Sequence, residues 1–525
     1  MKKQIALILA SALTISLCGC GSNQTAGKTD IDLSSYPIKT DVELSYWLPY
    51  SANLSSVASD LGKTRFAEKL KENTGVTVNY IHPALGQESE AFNLLVASGE
   101  LPDIVEYNWY SYSGGPDSAI ANEVLTPLND LIKKYAPNLS KLFKDNPTYE
   151  KVCMTNDGTI FAFPFIKDDE RLLGTQGAIV RQDWLDELGL STPNTTQDWE
   201  NMLKAFRDKK GATAPLTLTS STKGYLLYLF DSTSGTYVEN NKIKYGPIEP
   251  EFKNAITKLN QWYKEGLLDK NYNMADNTIL DSNILNNASG ATFGSGGQQM
   301  GKWMTAKAND NAFKITAVKF PDRADGSSAR FVVPNYYVSA GSGAATITTK
   351  CRYPELATKF LDYLYSDEGH MLANFGIEGE SYNLVDGYPT YTDYIMKNPD
   401  GLSASQAMSM YIRANTNGPF AQDVRYIEQY YQTDAQKSAL EVWGAAADAA
   451  QEYIIPDLSN SVEESGEYST IMNEVNKYVY ENMYAFISGS KSLDEFDAFV
   501  EQIKKMNIER ALEIKQKGYD AYLKR

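Results

Sequence analysis

The segments VELSY at 42–46, VTVNY at 76–80 and DIV at 103–105 predict three β-strands. The first two alternate apolar and polar residues, and the third is a short apolar run. Helices are predicted between them, over about 64–73 and about 88–98, and a glycine follows each helical pattern as a stop signal. This β-α-β-α-β order predicts a parallel sheet with helices packed on its faces.

Aromatic residues follow two of these strands directly. In open parallel sheets, ligands bind just beyond the carboxyl ends of the strands. Tyr107 stands at this edge, and the candidates for ligand contact there are Trp47 and Tyr50 after the first strand, and Asn108, Trp109 and Tyr110 after the third. The composition, with 35 Tyr, 19 Phe and 7 Trp, suits a surface that offers flat faces and hydroxyls. We therefore expect these five residues to contact a ligand, with packing in the core or at the rim as the alternative for each.

The second half of the chain has the pattern of another α/β unit. Residues 161–164, Phe-Ala-Phe-Pro, predict a crossing into this unit, and residues 178–180 predict its opening strand. Asp183 is expected to cap a short helix, and Thr195 with Asp198 predicts a capping box at the start of the next.

A glycine-rich segment interrupts this pattern at 291–303 and ends in Trp303. Because glycines let a backbone approach a ligand closely, Trp303 and the preceding glycines are candidates for the second side of a binding site. Trp184 and Trp199 are expected in the core. The chain from about Val462 to its end predicts amphipathic helix.

The first twenty residues predict an export signal with a lipid-attachment site. Lys2 and Lys3 precede an apolar run over 5–17, which fits a signal h-region better than a membrane span. The run ends in Leu17-Cys18-Gly19-Cys20, which resembles a bacterial lipobox. Residues 1–19 are therefore expected to be removed and Cys20 to be lipidated, followed by a flexible tether over 20–40. The alternative is an ordinary secreted protein in which Cys20 is incidental.

Size and charge narrow the class of protein. The chain has 525 residues, more than one hydrophobic core usually serves, so two lobes are expected. The formal net charge is −17, and it becomes two units more negative if Lys2 and Lys3 are removed. This acidity argues against nucleic acid as a partner.

Few residues are available for catalysis or metal binding. The chain has two histidines, His82 and His370, and contains neither a His-Glu-x-x-His nor a Gly-x-Ser-x-Gly motif. Residues 62–64, Gly-Lys-Thr, lack the earlier glycine of a phosphate-binding loop. Cys153 and Cys351 are either bridged or two buried thiols. No cofactor and no metal is predicted.

Several motifs together resemble one family. They are the lipobox, Trp47-x-x-Tyr50, residues 66–76, 94–103, 181–190, 262–268, 362–369 and 376–382. In this order they resemble the extracellular solute-binding lipoproteins of sugar ABC importers, including the longer Gram-positive members linked to oligosaccharide uptake. The likeness spans nearly the whole chain after the signal segment.

This resemblance implies an α/β, two-lobed fold of the periplasmic-binding-protein type II kind, with hinge strands between the lobes and a helical C-terminal extension. The first lobe is expected to comprise 41–165 plus 320–385, and the second lobe 166–319 plus 386–525. By position in the family pattern, Tyr336, Glu380 and Tyr382 join the candidate ligand contacts.

The resemblance also implies the function. The protein is expected to bind an oligosaccharide at the extracellular face of the membrane, to close on it, and to present it to permease subunits. Members of the family are not enzymes, and a monomer is expected. Two alternatives stay open: a surface glycoside hydrolase or lyase, which needs paired carboxylates in the cleft, and a lipoprotein that binds peptides or other solutes.

Overall fold

The computed structural model describes residues 31–525. The predicted signal segment at 1–19 and the predicted lipidation of Cys20 lie outside the described residues. Between residues 31 and 525, no helix is long and apolar enough to cross a membrane.

The strands of residues 31–525 lie in five small sheets. Their bounds are β1 (Glu43–Trp47), β2 (Thr77–Ile81), β3 (Ile104–Glu106), β4 (Phe165–Lys167), β5 (Gln176–Arg181), β6 (Thr236–Glu239), β7 (Lys242–Tyr245), β8 (Ala291–Ser295), β9 (Ile315–Val318), β10 (Val338–Ser339), β11 (Ala345–Ile347), β12 (Tyr382–Val385), β13 (Tyr388–Tyr391) and β14 (Ala421–Gln422).

Helices surround these sheets and make up the C-terminal part of the chain. Their bounds are α1 (Ala52–Ser55), α2 (Arg65–Thr74), α3 (Glu88–Ser98), α4 (Gly115–Ala121), α5 (Asn129–Tyr135), α6 (Pro137–Asp145), α7 (Pro147–Val152), α8 (Gln182–Leu188), α9 (Thr196–Lys210), α10 (Pro250–Lys264), α11 (Asn277–Leu285), α12 (Lys302–Ala306), α13 (Pro354–Tyr363), α14 (Asp367–Phe375), α15 (Asp393–Met396), α16 (Ala404–Ser409), α17 (Val424–Tyr430), α18 (Asp434–Ala449), α19 (Val462–Ser488), α20 (Phe496–Lys505) and α21 (Ile508–Lys524).

The first sheet has the order β11-β3-β1-β2. Strand β1 pairs in parallel with both β2 and β3, as the β-α-β-α-β pattern predicts, and β11 adds to β3 in antiparallel orientation. The Thr64 side chain accepts a hydrogen bond from the Ala67 N–H and begins α2, and Gly75 ends that helix in the left-handed conformation. The parallel arrangement places the carboxyl ends of β1 and β3 at one edge.

The second sheet has the order β8-β5-β9, with antiparallel pairing throughout. Trp184 and Trp199 are buried in its core, as expected, and the capping box of Thr195 forms. The prediction for Asp183 is wrong. Its carboxylate does not cap α8 but pairs with the guanidinium of Arg181 at 2.6 Å, and both side chains are buried. Leaving a buried arginine without a counter-charge costs more free energy than leaving a helix end uncapped, so the carboxylate pairs with Arg181.

A three-stranded sheet joins the two halves in the order β10-β4-β14. Strand β4 follows the predicted crossing at 161–164 and leads into the second sheet, while β10 leads back into the first. The α/β, two-lobed fold with hinge strands is therefore confirmed. The helical C-terminal extension is also present, because α19 packs against α10 and α21 packs against α19.

Buried apolar residues of the described chain form two large clusters and three smaller ones. The first takes residues from 38–166 and 338–373 together with Phe420, and the second from 173–332 and 447–511. The other buried apolar residues of 386–431, a segment expected in the second lobe, belong to the third cluster, which spans 375–440 and includes Leu172. The exact boundaries of the lobes stay a prediction.

Two further sequence-based expectations are settled within the described residues. The predicted tether at 20–40 is too long, because Ile38 is buried and its N–H donates to the Thr74 carbonyl at 2.8 Å.

Cys153 and Cys351 are both free thiols buried in the first cluster. They are therefore packing residues and form no disulfide.

Candidate functional site

A pocket of about 560 Å³ opens at the carboxyl ends of β1 and β3. This size lies within the range of small-molecule sites. We call it the first-lobe pocket. One wall comes from the segments that follow β1 and β3, and the other from the loop before β11 and the chain after α16. Its lining is Leu48, Pro49, Tyr50, Ser51, Ala52, Leu54, Leu61, Leu85, Glu88, Glu106, Tyr107, Asn108, Ser342, Gly343, Ser409, Ile412, Arg413, Asn415, Thr416 and Asn417.

Two tyrosines give this pocket its aromatic faces. The ring of Tyr50 lies 4.5 Å from that of His82, at an interplanar angle of 31°. The ring of Tyr107 lies 4.4 Å from that of Phe92 and meets Trp47 edge-on at 5.6 Å. Because these neighbours hold the two rings in place, the pocket offers preformed flat surfaces to a ligand.

An ion pair lies in the pocket's lining. Arg413 Nη2 donates to Glu106 Oε1 at 2.8 Å and to the Asn417 carbonyl at 2.6 Å, while Arg413 Nε donates to Thr416 Oγ1 at 3.2 Å. Glu106 Oε2 accepts from the Tyr46 hydroxyl at 2.8 Å. The pair thus joins the end of β3 to the chain after α16, and each charge is largely neutralised by the other.

Beside this pocket, Asn108 and Asp457 lie against Gly341, and Tyr110 and Tyr336 lie near enough to Asp457 to feel its charge. A Cβ on Gly341 would lie 3.1 Å from both Asn108 Oδ1 and Asp457 Oδ2, so these two oxygens converge on one point. The Tyr336 hydroxyl donates to the Ile455 carbonyl at 3.4 Å. Desolvation, helped by the nearby Asp457 charge, raises the pKa of Tyr336 to about 12 and that of Tyr110 still further. We call Asn108, Tyr110, Tyr336, Gly341 and Asp457 the cleft base.

A smaller pocket of about 270 Å³ lies at the carboxyl end of β8. We call it the second-lobe pocket. Its lining is Gln176, Thr219, Ser221, Thr222, Tyr225, Asn277, Leu280, Phe293, Gly294, Ser295, Gln298 and Gln299. The Tyr225 ring stacks on Tyr228 at 5.3 Å and meets Phe293 edge-on at 6.2 Å. Gln299 Oε1 accepts from the Ser295 N–H at 2.8 Å, which fixes the turn that carries the exposed Gln298.

Both pockets lie close to the hinge strands along the chain. Ser342 and Gly343 of the first-lobe pocket follow β10 closely, and Gln176 of the second-lobe pocket comes shortly after β4. Strands β4 and β10 are paired in the hinge sheet, so a short segment of chain connects each pocket to that sheet.

The three predicted tryptophans are buried and line neither pocket. Trp47, Trp109 and Trp303 are 4%, 0% and 0% exposed, respectively. Trp303 Nε1 donates to Asp281 Oδ1 at 2.7 Å inside the second half of the molecule. The structure therefore corrects these three predictions, because large rings next to strand ends are used here to fill the cores.

Glu380 and Tyr382 lie apart from the two pockets, and their contact with a ligand stays a prediction. Glu380 accepts two hydrogen bonds from Arg65, at 2.6 and 3.1 Å, and this ion pair ties the segment before β12 to α2. Tyr382 is buried against Phe375, with ring centroids 5.9 Å apart. Neither side chain lines a described pocket.

The remaining predicted residues come together. Tyr50 and Asn108 line the first-lobe pocket, and Asn108, Tyr110 and Tyr336 belong to the cleft base. Their contact with a ligand stays a prediction.

Sequence reasoning missed Arg413, Asp457, Tyr225 and Gln298. Gln298 could have been found because it lies in the irregular segment at 291–303. The other three carried no sequence signal that pointed to the site. Within residues 31–525, no group of three or more His, Cys, Asp or Glu side chains is placed to hold a metal ion.

This fold and these pockets define a solute-binding protein. The chain belongs to the bacterial extracellular solute-binding protein family, whose model matches residues 55–371.

Among curated relatives, the fructooligosaccharide ABC transporter substrate-binding protein FusA of Streptococcus pneumoniae serotype 4 (strain ATCC BAA-334 / TIGR4) is 25% identical over 555 residues. That match covers 98% of this chain and 97% of FusA.

Two solved structures show the same fold. The alginate-binding protein AlgQ2, without calcium ion, has a TM-score of 0.69 at 23% identity and covers 92% of this chain and 99% of its own. An HMO-binding, ABC-transporter-associated solute-binding protein from Bifidobacterium longum infantis ATCC 15697 has a TM-score of 0.73 at 18% identity, and covers 91% of this chain and 99% of its own.

Proposed function

We propose that this protein is the substrate-binding component of an ABC importer and that it captures an oligosaccharide outside the cell. The observation that carries the proposal is a pair of pockets, one beside the first sheet and one beside the second, lined by tyrosines and by polar groups. Sugars need flat faces for their C–H surfaces and hydrogen-bond partners for their hydroxyls, and these pockets supply both. The full-length similarity to a fructooligosaccharide-binding relative supports the same proposal.

The work of such a protein is done by closure of the hinge. A ligand that bridges the two pockets makes contacts in the closed state that the open state lacks, and this difference in affinity shifts the population toward closure. In this proposal Tyr50, Asn108 and Tyr336 bind on the first-lobe side, and Tyr225 and Gln298 on the second. The membrane permease subunits then recognise the closed form.

We further propose that the protein acts at the extracellular face of the membrane, held by a lipid on Cys20 after removal of residues 1–19. It acts as a monomer with no enzymatic activity of its own. Its lobes comprise 41–165 plus 320–385 and 166–319 plus 386–525.

A thermal-shift screen tests this function. The protein is melted with neutral and acidic oligosaccharides, with short peptides as controls, and each glycan is recovered afterwards. A ligand at 100 times its Kd adds about 2.7 kcal/mol to the free energy of unfolding. A shift with one glycan class, and an intact glycan afterwards, supports the proposal. Cleavage of the glycan favours a hydrolase or lyase, and a shift with peptides alone favours a peptide-binding lipoprotein.

Tyr50→Ala ties the binding to the first-lobe pocket. It removes one of the pocket's aromatic faces, so the shift with the best glycan is expected to shrink. Tyr394→Ala is the matched control, because Tyr394 is an exposed tyrosine on α15 that lines neither pocket.

A further inference from the structure

We infer that the cleft selects glycans without carboxylate groups, and that Asp457 is the residue that makes this selection. The inference rests on the proposed function and narrows its ligand class. It follows from the charges that line the two pockets and the cleft base.

The second-lobe pocket presents no charge. Each of the described residues that line it is apolar or an uncharged polar residue, and the polar set is glutamines, threonines, serines, a tyrosine and an asparagine. Such groups donate to and accept from hydroxyls equally well. They give a ligand carboxylate no cation to pair with.

The lining of the first-lobe pocket includes one cationic side chain, Arg413, and it is already bound to other groups of the protein. The guanidinium of Arg413 is 9% exposed and is bound to Glu106, Thr416 and the Asn417 carbonyl. The other charged residue in the lining is Glu88. The described lining is therefore net acidic, with two carboxylates against one guanidinium.

Asp457 adds a carboxylate at the cleft base. The side chain is exposed, and among residues 31–525 it forms no hydrogen bond or ion pair. The surrounding protein nevertheless desolvates it and raises its pKa, with Lys515 of α21 acting in the opposite direction. An ionised carboxylate only accepts hydrogen bonds, and bonds to an ionised acceptor are roughly twice as strong as neutral ones. Asp457 thus favours ligand hydroxyls and repels ligand carboxylates.

Lys515, whose charge acts on Asp457, donates through Nζ to the Tyr468 hydroxyl at 3.5 Å. Lys167 is a further cation that an acidic ligand could pair with, since it lies on hinge strand β4. Its Nζ donates to Asn335 Oδ1 at 2.6 Å, and desolvation lowers its pKa to about 8. A cation that is poorly solvated and already bound to an amide oxygen does not offset the carboxylate of Asp457 and those of the first-lobe pocket.

Calorimetric titration of the protein tests the selection. The probes are neutral fructo-, manno-, xylo- and galacto-oligosaccharides, oligogalacturonates, and methyl-esterified oligogalacturonides that keep the backbone of the oligogalacturonates but lack their charge. We expect the tightest ligand to be neutral and to bind at least tenfold more tightly than any oligogalacturonate. Asp457→Asn, which keeps the size of the side chain, is expected to weaken the neutral ligand about tenfold and to narrow its advantage over the oligogalacturonates.

Asp400→Asn is the matched control, because it removes one negative charge from an exposed turn that lines neither pocket. It should leave both affinities unchanged. An oligogalacturonate that binds as tightly as the best neutral glycan overturns the inference and leaves the proposed function intact. An Asp457→Asn protein that melts and binds like the wild type overturns the role of Asp457. Binding of peptides but of no glycan overturns the proposed function itself, and the inference with it.

Discussion

Arg413 Nη2 lies 2.8 Å from Glu106 Oε1, and both side chains are more than nine-tenths buried. Glu106 ends β3 in the first lobe, whereas Arg413 comes from the small third cluster. One buried ion pair therefore fixes the position of two segments that both line the first-lobe pocket.

Arg413→Met is expected to lower the free energy of unfolding by about 3–5 kcal/mol, because it leaves the Glu106 carboxylate buried without its partner. Urea unfolding curves measure this. The matched control is Arg510→Met, which breaks the exposed pair with Glu467 and should change the free energy by about 0–1 kcal/mol. Equal effects of the two substitutions would show that the Glu106–Arg413 pair is not important for stability.

Glu380→Gln should leave ligand affinity unchanged within twofold, because Glu380 binds Arg65 and lines neither pocket. The pair is more than one-third exposed, so the free energy of unfolding should change by no more than about 1 kcal/mol. Titration with the best glycan, together with a melting curve, checks both values. A loss of affinity above tenfold in a stable variant would restore Glu380 as a ligand contact.

Trp303→Ala should destabilise the protein by about 3–5 kcal/mol, since it empties a fully buried site. At a temperature where the variant is folded, its glycan affinity should stay within a few-fold of the wild type. Trp303→Phe is the milder comparison, because it keeps an aromatic ring but loses the hydrogen bond to Asp281. A stable Trp303→Ala protein that no longer binds would place the indole in the site after all.

Glycan binding should weaken on acidification through Asp457. Desolvation raises the pKa of its carboxyl, so on acidification the ionised form that accepts ligand hydroxyls is lost at a higher pH than for an ordinary aspartate. The groups that face it are Lys515, Tyr110 and Tyr336, and the raised pKa values of the two tyrosines keep them protonated in this range.

Affinity measured from pH 7 to pH 4 in the wild type and in Asp457→Asn checks this dependence. The wild type should lose affinity, and the variant should bind weakly but with little change over the same range. Parallel curves for the two proteins would assign the pH dependence to other groups.

The sequence was sufficient to predict the layered fold, since its signals are local. Alternation predicted β1 and β2, and the capping box of Thr195 predicted the start of α9. The error at Asp183 has a tertiary cause, because its carboxylate pairs with Arg181. The local sequence pattern does not show that Arg181 is buried and therefore requires a counter-charge.

The site was predictable only where a strand end supplied it. Tyr50 and Asn108 reach the first-lobe pocket because the parallel strands before them end at one edge. Trp47 and Trp109 stand in the same segments but fill the core. Whether a ring in these segments faces the pocket or the core depends on how the surrounding residues pack against it. Asp457 comes from a segment remote in sequence, and only the folded chain brings it beside Asn108.

The central claim is that one oligosaccharide bridges both pockets. The most direct test is calorimetric titration of the best glycan into the wild type, Tyr50→Ala and Tyr225→Ala, which remove an aromatic face from the first-lobe and the second-lobe pocket respectively. The account predicts that each substitution alone weakens binding by about tenfold or more, as expected for the loss of roughly 1–3 kcal/mol of aromatic contact. Glycan binding that is unchanged by either substitution would contradict it.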